Sequence, residues 1–299
     1  MKRILVTGAS GLLGSKVAKL AEHFFEVIPT HNTRSFFKDS TKMDMTNEYE
    51  VSQVVVRMKP DLVMHVGAET KVDQCEKNRE EAWKVNAEGT RNVAAACGKI
   101  DAKLIYVSTD YVFDGGKGFY VESDEPNPVN YYGWTKLKGE QFVRENCQEY
   151  VIARTSVLYG WHSWKTNFAS WVIESLRRGE PITVVNDHYN SPTLADNLAE
   201  VLLEMGKKDL SGVFHTAGSE RINRYDFAVE IARNFDLDAN MITPIKMSEL
   251  KMWIAKRPRD SSLSIGKAQK QLETKFLNVP EGLKIMRINR NESSVSLKN

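Results

Sequence analysis

Residues 131–136 read YYGWTK. On a helix, side chains four residues apart share a face, so Tyr132 and Lys136 can reach one bound molecule while Tyr131 points about 100° away. A free phenol, with a pKa of about 10, exchanges its proton reluctantly near neutrality. An ammonium one turn along lowers that pKa, which makes the pair a candidate for proton transfer to or from a ligand oxygen. Taken alone, the stretch reads more simply as a helix with a packed tyrosine and a solvated lysine. What surrounds it decides.

The N-terminal half has the pattern of a scaffold that could hold a ligand against this pair. Ile4-Leu5-Val6 reads as a buried strand, Gly8 to Gly14 as a turn and Gly14 to Glu22 as a helix. Further strands are predicted at 25–28, 61–66, 103–107 and 150–153, separated by helices at 48–58, 79–97 and 132–145. Continuous apolar strands alternating with helices predict an α/β fold, a Rossmann-type doubly wound parallel sheet covered on both faces. Such sheets bind ligands at the carboxyl ends of their strands. Beyond Leu158 the pattern loosens into aromatic-rich loops (Tyr159, Trp161, Trp164, Trp171), and a return to the sheet is expected near Val213-Phe214-His215. The expected domains therefore interleave. Residues 1–158 with about 193–217 form the cofactor domain, and about 159–192 with 218–299 form a smaller substrate domain. The polar tail from Arg287 onward is expected to fray.

TGASGLLG places Gly8, Gly11 and Gly14 three apart between a strand and a helix, with Ser10, Leu12 and Leu13 completing the turn. Glycine there allows a tight turn and close approach of a pyrophosphate, and the helix N-terminus offers free N–H groups to it. A dinucleotide cofactor is predicted. The second strand runs into Thr30-His31-Asn32-Thr33-Arg34. NAD sites usually offer an acid here to the ribose hydroxyl, whereas an arginine suits a 2′-phosphate. No acid is present, so Asn32 and Arg34 point to NADP, with NADPH preferred over NADH; the bland alternative is an arginine in a solvated loop. In STDYVFDG, at 108–115, Asp114-Gly115-Gly116 is a simple turn, but Ser108-Thr109-Asp110 leave the fourth strand at its ligand-binding end.

Composition excludes several classes. Lys plus Arg number 41 against 39 Asp plus Glu, a net charge of +2, so no global field draws in nucleic acid or an anionic membrane. Cys75, Cys97 and Cys147 are scattered, without a CxxC pair, and read as reduced thiols. His23, His31, His65, His162, His188 and His215 form no ligand motif, and no metal site is predicted. The start MKRILVTGAS has an apolar run too short for a signal-peptide core, and no 18-residue apolar run follows. A cytoplasmic location is expected.

These residues together resemble the extended short-chain dehydrogenase/reductases and, within them, the dTDP-4-dehydrorhamnose reductase family. The resemblance rests on TGASGLLG, MDMTN (43–47), GAETKVDQCE (67–76), VNAEGTRN (85–92), STDYVFDG, YGWTK, RTSVLYG (154–160) and RPRDSSL (257–263), and covers most of the chain. It implies NADPH-dependent reduction of the 4-keto group of a nucleotide-linked 6-deoxyhexose. By the same resemblance Tyr132 donates the proton, Thr109 hydrogen-bonds the substrate carbonyl with Asp110 beside it, and Lys136 also binds the nicotinamide ribose. Asp44 and Met45 would lie beside the adenine, and Gly67, Ala68 and Glu69 along the cofactor. Asn167 and Arg257 would face the substrate. An arginine fork suits a diphosphate, although Lys256, Arg257 and Arg259 also read as a solvated basic loop.

The resemblance has departures. Bacterial reductases of this type often read RTSW, and this chain has Val157 instead, which alters the pocket wall. The stretch at 212–235 also resembles the regulatory β subunit of methionine adenosyltransferase, which would bind NADP and a methionine adenosyltransferase partner without catalysis. An epimerase or dehydratase is less favoured, because dehydratases of this fold place an acidic pair where Asp110 is followed by Tyr111. Some related reductases form a homodimer through a metal held by an acid in the first helix. Ser15 begins that helix here, so the metal is not carried over, while a homodimer stays possible.

Overall fold

Ile4, Leu5 and Val6 are fully buried because both faces of their strand are covered. The computed structural model describes residues 1–35 and 37–289. The N-terminal half runs β1 (Arg3–Thr7), α1 (Leu12–Ala21), β2 (Glu26–His31), β3 (Thr41–Lys42), α2 (Glu48–Met58), β4 (Leu62–His65), α3 (Val72–Lys77), α4 (Arg79–Trp83), α5 (Gly89–Gly98), β5 (Lys103–Thr109), α6 (Tyr131–Asn146) and β6 (Tyr150–Thr155). There follow β7 (Leu158–Tyr159), α7 (Phe168–Arg177), β8 (Ile182–Val185), β9 (Tyr189–Asn190), β10 (Thr193–Leu194), α8 (Ala195–Lys207), β11 (Gly212–His215), β12 (Ile222–Asn223), α9 (Arg224–Asn234), β13 (Ile242–Ile245), α10 (Gly266–Gln271) and α11 (Val279–Ile288).

Seven strands form one parallel sheet in the order β11-β6-β5-β4-β1-β2-β3. The order turns back at β1, which pairs with β2 on one side and β4 on the other, and such a switch point opens a crevice at the carboxyl ends. On one face, Val17 and Ala21 of α1 pack with Leu198 and Leu202 of α8 over Ile4, Val6 and Met64. On the other, Val51 and Val55 of α2, Val93 of α5 and Val143 of α6 cover Leu5, Val63 and Leu104. A separate core joins α7, α9 and α11 through Val172, Ile173, Phe227, Ile231 and Leu283, with Ile182 of β8 and Ile242 of β13.

The helical run expected at 79–97 contains a π-helical turn, Lys84–Glu88, between α4 and α5. Arg287, where fraying was expected to begin, lies in α11 and donates to the Asn234 carbonyl at 2.6 Å. The rest of that tail, from 290, lies outside the described residues. Cys75, Cys97 and Cys147 are buried and unpaired. Among the described residues, no helix is long and apolar enough to cross a membrane.

Candidate active site

A cavity of about 600 Å³ runs along the carboxyl ends of β1, β4 and β5. Its floor is backbone. Gly8 has φ +63°, and a Cβ there would lie 2.7 Å from the Gly67 Cα; one on Gly14 would lie 2.2 Å from the Gly8 carbonyl oxygen. No side chain fits at either position. Gly11 caps α1 without a side-chain acceptor, so the first-turn N–H groups remain available to an anion. This cradle fits a dinucleotide pyrophosphate. Gly8, Ser10, Gly11, Leu12, Leu13, Gly14, Asn32, Met45, Gly67, Ala68 and Glu69 all line the cavity. Arg34 and Asp44 do not. Arg34 is exposed beyond the rim, and the Asp44 carboxylate accepts the amide and hydroxyl of Thr46 at 2.9 and 2.8 Å.

Beneath this floor a buried relay sets the loop after β4. The Thr90 hydroxyl donates to the Asn86 carbonyl at 2.7 Å, so it accepts from His65 Nε2, 3.0 Å away. His65 Nδ1 must then accept from the Thr7 hydroxyl at 2.7 Å, whose oxygen receives the amides of Val66 and Gly67 at 3.2 Å each. The arrangement requires a neutral imidazole. Burial, with Lys136 nearby, pushes the His65 pKa down to about 3.

Helix α6 starts at Asn130, whose side chain accepts from the Gly133 amide at 2.9 Å. A Cβ on Gly133 would lie 2.0 Å from the Tyr111 carbonyl oxygen, so the helix presses directly on the chain leaving β5. Tyr132, Lys136 and Thr109 line the cavity together, and the Thr109 hydroxyl donates to the Asp110 carboxylate at 3.1 Å. Tyr131 turns away, with the Arg79 guanidinium 5.0 Å from its ring centre. Glu140, one turn past Lys136, is fully buried and takes Nε and Nη2 of Arg154 at 2.8 and 2.7 Å and the Ser108 hydroxyl at 2.7 Å. That clamp ties α6 to β5 and β6. Asn86, in the π-helical turn, accepts the Glu69 amide at 2.8 Å and donates to the Thr135 hydroxyl at 3.2 Å. It joins the loop after β4 to α6, a placement typical of π-bulges.

The electrostatics differ from the expectation that Lys136 lowers the Tyr132 pKa. Burial raises the phenol well above its usual value, with the nearby Thr109 hydroxyl opposing. The Lys136 ammonium lies 4.2 Å from the centre of the Tyr106 ring, and burial lowers its pKa to about 7, with Glu140 opposing. In this state Tyr132 is a firmly protonated donor.

A second cavity, about 640 Å³, is lined by Thr70, Lys71, Asp73, Tyr111, Trp171, His188, Arg224, Trp253 and Arg257 among others. Tyr111 is the partition: it lines this cavity and packs edge-on against Tyr132, ring centres 6.0 Å apart. Arg257 donates to Asp73 at 3.0 Å and lies 5.0 Å from the centre of the Trp253 ring. Arg224, unnoticed in the sequence because RINRYDF carries no pattern of its own, sits 4.9 Å from the Phe168 ring centre and lines this cavity with Tyr111. Asn167 lines the cofactor cavity instead, capping α7 and donating to the Gly160 carbonyl at 2.7 Å. Asp110 lines neither. It is buried and accepts from Thr109 and Ser156 at 3.1 and 2.8 Å, so it braces the end of β5. Val157 lines the cofactor cavity at φ +44°, a strained conformation for a β-branched residue. Lys165 and Thr166 also reach that cavity, from the loop before α7.

The chain matches the family described as RmlD substrate binding domain over residues 1–289. It is 35% identical over 274 residues to a probable low-salt glycan biosynthesis reductase of Haloferax volcanii, covering 89% of this chain and 91% of that protein. It is also 31% identical over 279 residues to the methionine adenosyltransferase 2 subunit beta of Bos taurus, covering 90% and 82%. The structure of dTDP-4-dehydrorhamnose reductase from Bacillus anthracis in complex with NADP superposes with a TM-score of 0.88 at 35% identity, covering 97% of this chain and all of that one. Fold and site define an NAD(P)-dependent oxidoreductase built on a Rossmann sheet. Within that class the chain belongs to the RmlD substrate binding domain family and is dTDP-4-dehydrorhamnose reductase-like.

Proposed function

We propose that the protein reduces the 4-keto group of a nucleotide-linked 6-deoxyhexose, with dTDP-4-dehydrorhamnose as substrate, dTDP-rhamnose as product and NADPH preferred over NADH. One observation carries this reading: the two cavities share Thr70 and are divided by Tyr111, whose ring packs edge-on against Tyr132, so Tyr132 and Thr109 line the cofactor cavity beside the partition. Residues 1–158 with about 193–217 would hold the cofactor, and about 159–192 with 218–299 the sugar nucleotide.

The cofactor supplies a hydride when bound; the chain's residues do the rest. Tyr132, kept protonated by burial, donates a proton to the carbonyl oxygen, and the Thr109 hydroxyl turns its hydrogen from Asp110 to hold that oxygen in line. Lys136 sits one turn away, facing the ribose side of the cavity. Its lowered pKa lets it pass a proton back to the phenol after turnover. Arg257 and Arg224 present guanidinium groups from the second cavity, which suits a diphosphate.

The test is oxidation of NADPH in the presence of dTDP-4-dehydro-6-deoxy-L-mannose and related keto-sugar nucleotides. Turnover by the wild type supports the reductase and lets the panel name the sugar. Tight NADPH binding without turnover of any of them sinks it, and favours the regulatory role to which the similarity with the methionine adenosyltransferase β subunit points. A pull-down with methionine adenosyltransferase would then follow.

A further inference from the structure

His188 is 1% exposed, yet its Nδ1 has no hydrogen-bond partner in the protein. The residue belongs to the second cavity, beside Tyr111, Trp253, Arg224 and Arg257. Its ring is held by aromatic edges, 5.5 Å from the Trp253 centre and 6.5 Å from that of Tyr111. Its backbone carbonyl accepts the Arg224 amide at 3.1 Å, so both strand end and ring are fixed. Asn190 settles which nitrogen carries the hydrogen. The Asn190 amide nitrogen must face the Asp110 carboxylate, 3.4 Å away, and it donates to the Ser261 hydroxyl at 2.9 Å. The same nitrogen lies 3.5 Å from His188 Nε2 and cannot accept a hydrogen bond, so a hydrogen on Nε2 would point at a donor; the bare nitrogen faces Asn190 and the hydrogen sits on Nδ1. Burial, then Arg224 and Arg257, holds the imidazole well below its usual pKa, so it stays neutral. A buried donor without an acceptor costs free energy unless a ligand supplies one.

We propose that His188 Nδ1–H is a third donor to the nucleotide sugar, joining Arg224 and Arg257 and selecting ligands that place an anionic or hydroxyl oxygen between Tyr111 and Trp253. The inference rests on the reading of the second cavity as the sugar-nucleotide site. Two arginines and a neutral imidazole N–H line the same cavity, which matches an acceptor-rich diphosphate or the sugar oxygen next to it. The imidazole differs from the arginines in kind. It attracts no free anion by charge, so its contribution depends on where the acceptor sits.

Titration calorimetry of the full chain with dTDP and with UDP, in the presence of NADPH, separates the possibilities. His188→Leu removes the donor and keeps the bulk, and is expected to weaken nucleotide binding about tenfold to a hundredfold. His188→Asn places an amide nitrogen where Nδ1 stands, and is expected to restore affinity to within about threefold of wild type. NADPH affinity, read in the other cavity, should not move in either variant and reports a preserved fold. If the wild type binds both nucleotides and His188→Leu binds them equally well, or if Leu and Asn are equally impaired, the assignment of His188 is overturned while the site stands. If the wild type binds neither nucleotide, the sugar-nucleotide reading of the cavity fails, and the inference with it.

Discussion

The two cavities are of similar volume and are divided by one tyrosine, yet they are made in opposite ways. The cofactor cavity has a floor of backbone, set by Gly8 and Gly14, where any Cβ would collide with neighbouring main chain. The second cavity is walled by side chains from scattered segments, among them Asp73, Tyr111, Trp171, His188, Arg224 and Arg257. A site made of backbone binds what every dinucleotide has in common and leaves a local signature. One made of side chains selects what differs between ligands, and no single stretch of sequence reveals it.

The sharpest break in this comparison comes beside the partition. Tyr132→Phe removes the proton donor while leaving the glycine floor intact, so turnover should fall by about 10² to 10⁴ while NADPH affinity holds. Tyr131→Phe, on the outward face, should change little. Steady-state kinetics of the two variants side by side decides it, and wild-type turnover by Tyr132→Phe would remove the tyrosine from the mechanism.

Arg257→Ala tests the second cavity alone. Its partner Asp73 keeps the amides of Ile254 and Ala255, each at 3.0 Å, so the loop should survive the loss. KM for the sugar nucleotide should rise about tenfold to a hundredfold, with NADPH binding unaffected. An unchanged KM would return Arg257 to the solvated basic loop that its sequence neighbours also allow.

Lys136 probes what the cofactor side costs before anything binds. Its pKa of about 7 lies below the ordinary 10.5, so between these values the unfolded chain binds more protons than the folded one. The stability penalty is therefore full below about pH 7 and fades as pH rises toward 10.5. Lys136→Met should raise the melting temperature of the cofactor-free protein most near pH 6, and the gain should shrink steadily toward pH 10. Equal gain at both ends would mean that the ammonium is not the strained group.

The smallest effect belongs to Arg34, which stands outside the cavity rim. At so exposed a position an ionic contact with a 2′-phosphate is worth little, and Arg34→Ala should weaken NADPH binding by only about twofold to fivefold, leaving NADH unchanged. Parallel titrations with both cofactors would show it; identical NADPH affinity would end the case for this residue as the phosphate contact.

Much of the cofactor side was legible because its determinants are local. The spacing of Gly8, Gly11 and Gly14, the apolar runs before them and the helical period that pairs Tyr132 with Lys136 all lie within short windows of sequence. The seven-stranded parallel sheet follows from the same alternation. What the sequence alone determined, then, is the Rossmann frame, the glycine floor and the identity of the pair at its edge.

Only the tertiary structure decided how those groups behave. It set Tyr132 in a buried site that raises its pKa, placed Lys136 over the Tyr106 ring, and turned Asp110 inward as a brace. It gathered His188 and Arg224 with Arg257 into the lining of one cavity, across 69 positions of chain from 188 to 257. Burial and the field of distant charges are sums over the whole packed molecule, and no window of sequence contains them.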